Sequence, residues 1–590
     1  MADPMPVRHQ IAVADANAHL VTVTSTFTAE GGALPDPLVV AMPVWTPGSY
    51  LVREYARNVE LPRARAGGER VVAVTKVRKN AWSIAHGGAP EVVFAYDLYC
   101  NDVSVRTNHV DDTHVYLNGA ATFTFATHEP SGGADVAIDA PSGWKIATAL
   151  RPLGGATFRA ESFDELVDSP IHVADHATRR FDVLGKPHHF AVWGEAPNAQ
   201  WDEVVRDTRL IIETEARFFG GTLPYDEYTF LWLVTPRNRG GLEHRASTTL
   251  TVQPQLFDDR KGYLDVLSLV AHEYFHLWNV KRIRPQGLSP YRYEEENYTR
   301  LLWWFEGATS YYDWRVLRVS GLCTVDEYLD HLGEEISRLE ETPGRIQQSC
   351  CEASFDAWIK LYRADENTVN STISYYLKGE IVCALLDVEL RARTHGQRGL
   401  DDVLAELWRA HGVEEKPVPE DAMAALFDRV AGVPMHDVLA AWTEGRGELP
   451  IDATLAKVGL KLVRERGHEK RQRPSLGVRV RAVDGRCVVV SILRGRAAHK
   501  GGIDTGDELV AVGGKRVEGG KVDATLLGRA PGSTVDVVVA RDGQLRTVSC
   551  TLDAPTVDRV RVVIADGASA AQRSLLEGWL HGTPTAKEKP

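Results

Sequence analysis

The sequence predicts a multidomain α+β protein with a β-rich N-terminal region, a mostly helical middle region and a small β-rich module near the C-terminus. Three observations predict this fold class. The 590 residues are too many for one hydrophobic core, because domains hold roughly 150 residues each. At about residue 200 the spacing of apolar residues changes from strand-like alternation to helical spacing. Near residue 463 it changes back to short strand-like runs.

Residues 1–180 are predicted to form a β-sandwich-like domain. The segments HLVTVTSTFTAE, EVVFAYDLYC and ATFTFATHE have the length of strands and are alternating or continuously apolar. Turns that are rich in Gly, Pro and Asp separate these segments.

Residues 181–462 are predicted to be mostly helical. The segment WDEVVRDTRLIIETEARFFGG has apolar residues at helical spacing and ends at Gly220-Gly221, which favours a helix C-terminus. A strand, YTFLWLVT, follows it. Further helical stretches then include LDVLSLVAHEYFHLW and EIVCALLDVELRARTHG.

Residues 463–560 are predicted to be a separate β-rich module. A charged linker that ends in Pro, RERGHEKRQRP, precedes short strands such as CVVVSIL and STVDVVVARDG. Residues 561–590 are predicted to contain an amphipathic helix, SAAQRSLLEGWL, and a disordered polar tail, GTPTAKEKP.

Composition and charge exclude several classes of protein. The 44% hydrophobic and 25% charged content excludes a wholly disordered chain. The net charge of −13 and the lack of a long Lys/Arg run argue against nucleic acid as a partner, and no stretch approaches the ~18 consecutive apolar residues of a membrane span. Because Asp3, Pro4 and Pro6 stand where a secretory signal has its apolar core, and the seven cysteines are scattered, a cytoplasmic location is expected.

The strongest indication of a catalytic site is the segment His272-Glu273-Tyr274-Phe275-His276. H-E-x-x-H on a helix places two imidazoles about 40° apart on one face, where both can bind one zinc ion. Glu273 projects on the same side and can deprotonate a water molecule at the metal. With 20 His in the chain, on the order of 0.05 chance matches are expected. The alternative is a buried helix whose histidines bond to neighbouring residues.

A third zinc ligand is expected from a second helix, because catalytic zinc usually has three protein ligands and one open position. Glu306 lies 30 residues after His276 in the aromatic-rich stretch WWFEGATSYY, where a carboxylate in an apolar seam is costly unless something pairs it. Glu294, Glu295 and Glu296 are closer in sequence, but they form an acidic run in a polar loop that is typical of solvated surface.

Several motifs resemble known zinc peptidases. The run Glu306-Gly307-Ala308-Thr309-Ser310-Tyr311 resembles the ligand helix of gluzincin aminopeptidases, and HEYFHLWNVKRIRP resembles the glycyl aminopeptidase family with a C-terminal PDZ domain. The segment WTPGSY at residues 45–50, with Arg57-Asn58-Val59, is similar to an N-terminal motif of that family and is interpreted as identifying, not catalytic. The resemblance implies a thermolysin-like (gluzincin) catalytic domain with Glu306 as the third zinc ligand.

The resemblance also implies substrate-binding residues. Gly241-Leu242-Glu243 stands where related aminopeptidases carry the glutamate that receives the substrate's free amino group, so Glu243 is the expected amine anchor. The element Tyr376-Leu377-Lys378-Gly379 is similar to one whose tyrosine donates a hydrogen bond to the oxyanion. Tyr376 is therefore the expected oxyanion donor, with Tyr375 as the alternative register.

The module at residues 463–560 resembles a PDZ domain of bacterial proteases. Ser475-Leu476-Gly477-Val478 matches the carboxylate-binding loop that precedes a strand, and the later GDELVAV matches a PDZ hairpin. Such a groove accepts an extended peptide as an added strand. The alternative is a domain that only docks against the catalytic part of the chain.

These observations together predict a zinc aminopeptidase with one zinc per chain that acts on peptides with a free N-terminus. By resemblance, the preferred first residue is small, Gly or Ala. One alternative is a zinc endopeptidase to which the PDZ domain delivers substrate. Another is a peptide-binding adaptor with an inactive peptidase scaffold, which would bind no zinc.

Overall fold

The computed structural model describes residues 7–29, 34–128, 132–466, 474–555, 557 and 559–582. The chain forms two compact units. Unit 1 comprises Met1–Thr299 and Leu404–Pro419, and unit 2 comprises Arg300–Val403 and Glu420–Pro590.

The N-terminal part of unit 1 is rich in β-structure. Its largest sheet contains, in spatial order, Arg151–Gly154, Thr157–Ala160, Ala134–Asp139, Val7–Asp15, Leu20–Thr28, Glu91–Tyr99, Val59–Ala66 and Arg70–Val72. Two smaller sheets contain Lys145–Ala147, Ile171–Ala174, His114–Leu117 and His109–Val110, and Phe125–Ala126, Leu38–Ala41, Ala81–Ile84 and Val74–Arg78. Along Leu20–Thr28 every second side chain is buried, as the alternating sequence predicts.

One predicted strand of this region is wrong. The segment ATFTFATHE begins in the short helix Gly119–Thr122, and among its described residues only Phe125–Ala126 form a strand. The Asn118 side chain causes this difference, because it accepts hydrogen bonds from the backbone amides of Ala120 and Ala121 and so caps the helix.

A mixed sheet and two long helices complete unit 1. The sheet contains Ala177–Val183, Lys186–Trp193, Tyr228–Val234, Ser247–Val252 and Gly240–Glu243 in spatial order. Tyr228–Val234, the predicted strand, is buried along its whole length, as expected for a central strand with parallel neighbours on both sides. The helices are Trp201–Phe218 and Arg260–Phe275, and the first ends before Gly220-Gly221 as predicted.

Unit 2 is helical in its first part. Its helices there are Leu302–Phe305, Gly307–Val319, Val325–Glu340, Cys350–Phe355, Thr368–Ser371, Tyr375–Arg393, Ala422–Ala431, His436–Leu439 and Ile451–Leu455. Helix Ala570–His581 packs on this part near the C-terminus, where Trp579 Nε1 donates to Tyr311 Oη at 3.0 Å.

In the sequence, the C-terminal β-module lies between two strands that pair with each other. Leu460–Glu465 pairs antiparallel with Arg559–Ile564, and the module's sheet contains Val478–Val483, Arg486–Ile492, Glu508–Val512, Thr534–Arg541 and Gln544–Thr551. The predicted linker RERGHEKRQRP therefore begins inside a strand, because a distant segment offers backbone partners. Its residues 467–473, and residues 583–590 of the predicted tail, lie outside the described residues.

The predicted α+β class, with a β-rich N-terminal region, a helical middle and a β-rich C-terminal module, is confirmed. All seven cysteines lie in the described ranges, buried and without a disulfide. Among the described residues, we find no helix that combines the length and apolar character needed to cross a bilayer.

Candidate active site

Helix Arg260–Phe275 carries the H-E-x-x-H motif in unit 1. It begins at Asp259, whose side chain accepts a hydrogen bond from Gly262 N at 2.8 Å. The ring centroids of His272 and His276 are 4.8 Å apart, so the two imidazoles lie on one face as predicted. The apolar spacing predicts that this helix continues through Trp278, but it ends at Phe275, with His276 as its C-terminal cap in αR conformation.

The orientation of the His276 ring is fixed by a residue that sequence reasoning missed. His276 Nδ1 is 2.9 Å from the carbonyl oxygen of Asn279, so it donates there. The other ring nitrogen, Nε2, then keeps its lone pair, which is the form a metal ion needs. Any residue type can offer a backbone acceptor, so no sequence pattern indicates this contact.

Two carboxylates lie beside His276. Glu243 ends the strand Gly240–Glu243, and the candidate ligand atoms of Glu243, Glu273 and His276 lie within 4.8 Å of one another. All three residues are buried, and Glu243 Oε1 has no hydrogen-bond partner among the described residues. A buried carboxylate oxygen of this kind is suited to receive a cationic group from a substrate.

The backbone just before Glu243 lies against this group of side chains. A Cβ on Gly241 would overlap the Glu273 carboxylate, so the glycine lets the strand lie directly against the predicted base. Leu242 is fully buried and points into the core. Gly241 therefore contacts the predicted site, whereas Leu242 contributes packing.

The WTPGSY segment also reaches this group. Gly48 has φ +88°, and a Cβ there would lie 2.7 Å from Glu243 Cδ. Trp45 anchors the same segment by donating from Nε1 to the Arg292 carbonyl at 2.9 Å. The sequence motif, interpreted above as identifying only, thus forms a wall against the predicted amine anchor.

Gly48→Ala is expected to lower kcat/KM for free-amine peptides by about 10²-fold, because the added Cβ displaces the Glu243 carboxylate. The measurement is steady-state hydrolysis of an unblocked peptide. Gly68→Ala is the matched control, since Gly68 has the same φ of +88° with no atom within 4 Å of its Cβ position. Equal losses in both variants would attribute the effect to backbone strain and contradict the role of Gly48.

A buried ion pair holds the chain just after Glu243. The Asp168 carboxylate lies 2.5 Å from Lys281 Nζ and 3.3 Å from His244 Nδ1, and it accepts from the backbone N of Arg245 at 2.8 Å. Burial raises the pKa of Asp168, but Lys281 and His244 hold it below its ordinary value. Lys281 follows the metal motif and His244 follows Glu243, so Asp168 ties the two segments together.

Glu306 lies in unit 2 between helices Leu302–Phe305 and Gly307–Val319. It is 2% exposed, whereas Glu294 and Glu295 in the competing acidic run pair with Arg78 and Arg292. Glu306 is therefore buried, whereas the side chains of Glu294 and Glu295 are 33% and 61% exposed.

Two helices of unit 2 cross where Gly307 of one meets Gly379 of the other, and this glycine crossing brings two predicted motifs close together. A Cβ on Gly307 would lie 2.6 Å from Gly379 Cα and 2.9 Å from the Tyr375 carbonyl oxygen. Helices Gly307–Val319 and Tyr375–Arg393 therefore approach closely where Glu306 and the two tyrosines lie.

The two tyrosines differ in exposure. Burial raises the pKa of Tyr376 well above its ordinary value, and Glu306 adds to the rise. Tyr376 Oη is 3.2 Å from Tyr362 Oη, and the residue is half-buried, while Tyr375 is fully buried. Only Tyr376 presents surface to a substrate, which favours the first of the two registers.

The predicted carboxylate loop of the C-terminal module lines a cavity of about 830 Å³ within unit 2. Ser475, Gly477 and Val478 lie on its wall, whereas Leu476 is buried in the module's core. Gly477 has φ +73° and donates its backbone N–H to Ser475 Oγ at 2.9 Å. Arg345 and Lys378 of the helical part also line it.

Three family models match the chain. They are the M61 glycyl aminopeptidase over residues 265–382, the peptidase M61 N-terminal domain over residues 8–175 and the PDZ domain over residues 474–552. The first match contains the H-E-x-x-H motif, Glu306 and both tyrosines, and the third contains the predicted carboxylate loop.

Solved structures are similar to the chain as well. An aminopeptidase N family protein from Idiomarina loihiensis is 29% identical with a TM-score of 0.90, and the match covers 98% of this chain and 100% of that chain. An M1 zinc metallopeptidase from Deinococcus radiodurans is 14% identical with a TM-score of 0.47, over 76% of this chain and 95% of that chain. No curated protein matches the chain in sequence.

Proposed function

Because this zinc metallopeptidase belongs to the M61 glycyl aminopeptidase family and carries a PDZ domain, we propose that it removes small N-terminal residues, Gly or Ala, from peptides. The observation that carries the proposal is the buried pair of carboxylates, Glu243 and Glu273, beside His276. One carboxylate has the position of a base, and the other can receive the substrate's terminal amine.

The proposed zinc ligands are His272, His276 and Glu306. The side chains fit this ion, since two imidazoles on one face and a carboxylate form a known ligand set of catalytic zinc. The bond from His276 Nδ1 to the Asn279 carbonyl supports the required tautomer. When bound, zinc supplies Lewis acidity toward the scissile carbonyl and lowers the pKa of water.

The protein's own groups provide the remaining steps. Glu273 takes a proton from the attacking water and returns it to the leaving amine. Glu243 pairs with the substrate's α-ammonium, which fixes the scissile bond one residue from the N-terminus. Tyr376 donates its hydroxyl proton in a hydrogen bond to the oxygen on which negative charge develops.

The PDZ domain is proposed to bind an extended peptide or a protein C-terminus. Support comes from the position of Ser475, Gly477 and Val478 on the wall of the cavity. Arg345 lines the same cavity but is paired with Glu448 at 2.6 Å, so the proposal depends on the loop and not on this charge.

The test of the proposed function is cleavage of matched glycyl, alanyl and leucyl peptides, each with a free and an acetylated N-terminus, together with zinc analysis. We expect cleavage only of free-amine peptides, with Gly and Ala preferred, and loss of activity on chelation. Equal cleavage of acetylated peptides would establish an endopeptidase instead. Absence of both zinc and cleavage would establish a binding protein.

Tyr376→Phe is expected to lower kcat by about 10²-fold with little change in KM, because the hydroxyl acts mainly on the transition state. Tyr375→Phe is the matched control from the adjacent buried position and is expected to retain kcat. The measurement is kcat and KM with a glycyl peptide. A larger loss in the Tyr375 variant would assign the oxyanion role to Tyr375.

A further inference from the structure

A second group of histidines lies in the N-terminal part of unit 1, outside the residues discussed above. Its members form a line of hydrogen-bonded imidazoles. His109 Nδ1 is 2.7 Å from His114 Nε2, and His114 Nδ1 is 3.1 Å from His172 Nε2. His172 Nδ1 is in turn 3.1 Å from His176 Nε2. All four rings are at most 3% exposed, so water does not satisfy their polar atoms.

The first two histidines belong to a tight hairpin, H-V-D-D-T-H, that also supplies a carboxylate. Asp111 Oδ1 closes the turn, because it accepts from Thr113 N at 2.8 Å and from His114 N at 3.1 Å. The other oxygen, Oδ2, faces His109 Nδ1 at 4.0 Å. The side chain of Asp111 is 29% exposed, so this end of the line is open to solvent.

The His114 ring is held from two sides. Trp193 stacks on it with the ring centroids 3.7 Å apart and the planes 10° apart. Its Nδ1 contacts His172, as the outer nitrogen of a metal-binding histidine usually contacts a second residue. A ring fixed in this way loses little conformational entropy when it binds an ion.

His109 and His114 face each other through two ring nitrogens 2.7 Å apart, so only one of these nitrogens carries the proton between them. When that proton moves to the other nitrogen of its own ring, both facing nitrogens present lone pairs to a cation. Arg237 opposes a cation at this place, whereas Asp111 and Asp102 favour one.

We propose that His109, Asp111 and His114 bind a divalent transition-metal ion of the zinc class at a second site, with His172 and His176 as positioning residues. The donor set of two imidazoles and one carboxylate suits zinc, cobalt or nickel and disfavours magnesium or calcium. With metal–nitrogen distances of about 2.0–2.1 Å in tetrahedral geometry, the two nitrogens separate to about 3.3 Å and the exposed Asp111 carboxylate turns inward.

Metal binding determines which ring nitrogen of each histidine in the line carries its proton. His114 coordinates through Nε2, so its proton lies on Nδ1 and is donated to His172, which donates in the same direction to His176. The ion joins the hairpin to strand Ile171–Ala174 through these bonds and stabilises this part of unit 1.

The test uses the full chain with His272→Ala and His276→Ala, which removes the proposed catalytic ligands and makes the result independent of peptidase activity. We expect this variant, after metal removal and dialysis against Zn²⁺, to retain about one equivalent per chain. Co²⁺ is expected to give visible absorption bands of a nitrogen- and oxygen-ligated ion. Retention of no metal by the folded variant would overturn the proposal.

Asp111→Asn in the same background identifies the site, because the amide oxygen can still close the turn while the ligand charge is lost. We expect its Zn²⁺ affinity to fall at least tenfold and the Zn²⁺-induced rise in unfolding temperature to disappear. His189→Gln is the matched control, since His189 is a half-buried histidine of unit 1 that pairs with Glu227. Unchanged affinity in Asp111→Asn and His114→Gln would assign the bound metal to adventitious sites.

Discussion

Glu273→Gln is expected to lower kcat by about 10²–10⁴-fold while the protein keeps its zinc, because a neutral amide cannot accept the proton of the attacking water. The amide has nearly the size of the carboxylate, so it fits against Gly241, where there is no room for a larger group. The measurement combines steady-state kinetics on a glycyl peptide with metal analysis of the same sample.

Glu213→Gln is the control for this change, because Glu213 is an exposed glutamate on helix Trp201–Phe218 of the same unit. It is expected to retain full kcat. A Glu273→Gln protein that holds zinc and works within tenfold of the unaltered enzyme would remove Glu273 from the mechanism. Loss of zinc from that variant would instead point to a ligand role.

Local patterns in the sequence were sufficient for much of the fold. Alternation predicted strand Leu20–Thr28, and helical spacing with a Gly-Gly stop predicted helix Trp201–Phe218. The predictions failed where one side chain or one distant partner decides the structure. Asn118 turns a strand-like segment into a helix start, and Leu460–Glu465 becomes a strand because Arg559–Ile564 pairs with it about a hundred residues later.

The same distinction applies to the candidate site. The motif at His272 and His276 is local, so spacing alone placed both rings on one helix face. The contact of Gly48 with Glu243 joins segments almost two hundred residues apart, and no pattern within either segment reveals it. The glycine crossing at Gly307 and Gly379 is similar, because each glycine alone is only an unfavourable residue in a helix.

Glu243→Gln is expected to lower kcat/KM for free-amine peptides by about 10²–10³-fold, because the α-ammonium of the substrate loses its proposed buried negative partner. The same change is expected to leave the very low cleavage of acetylated peptides unaltered, since these carry no charge to bind. The preference for a free N-terminus therefore falls by the same factor. Both substrates are measured with the zinc content matched to that of the unaltered enzyme.

Glu294→Gln is the matched control, because Glu294 is a glutamate of the same unit whose carboxylate pairs with Arg78. It is expected to keep the ratio between free and acetylated peptides. A similar fall in kcat/KM for both substrates in Glu243→Gln would indicate that Glu243 supports the strand Gly240–Glu243 and does not recognise the amine. A fall confined to free-amine peptides requires a direct charge contact, because a structural defect cannot distinguish two substrates that differ only at the nitrogen.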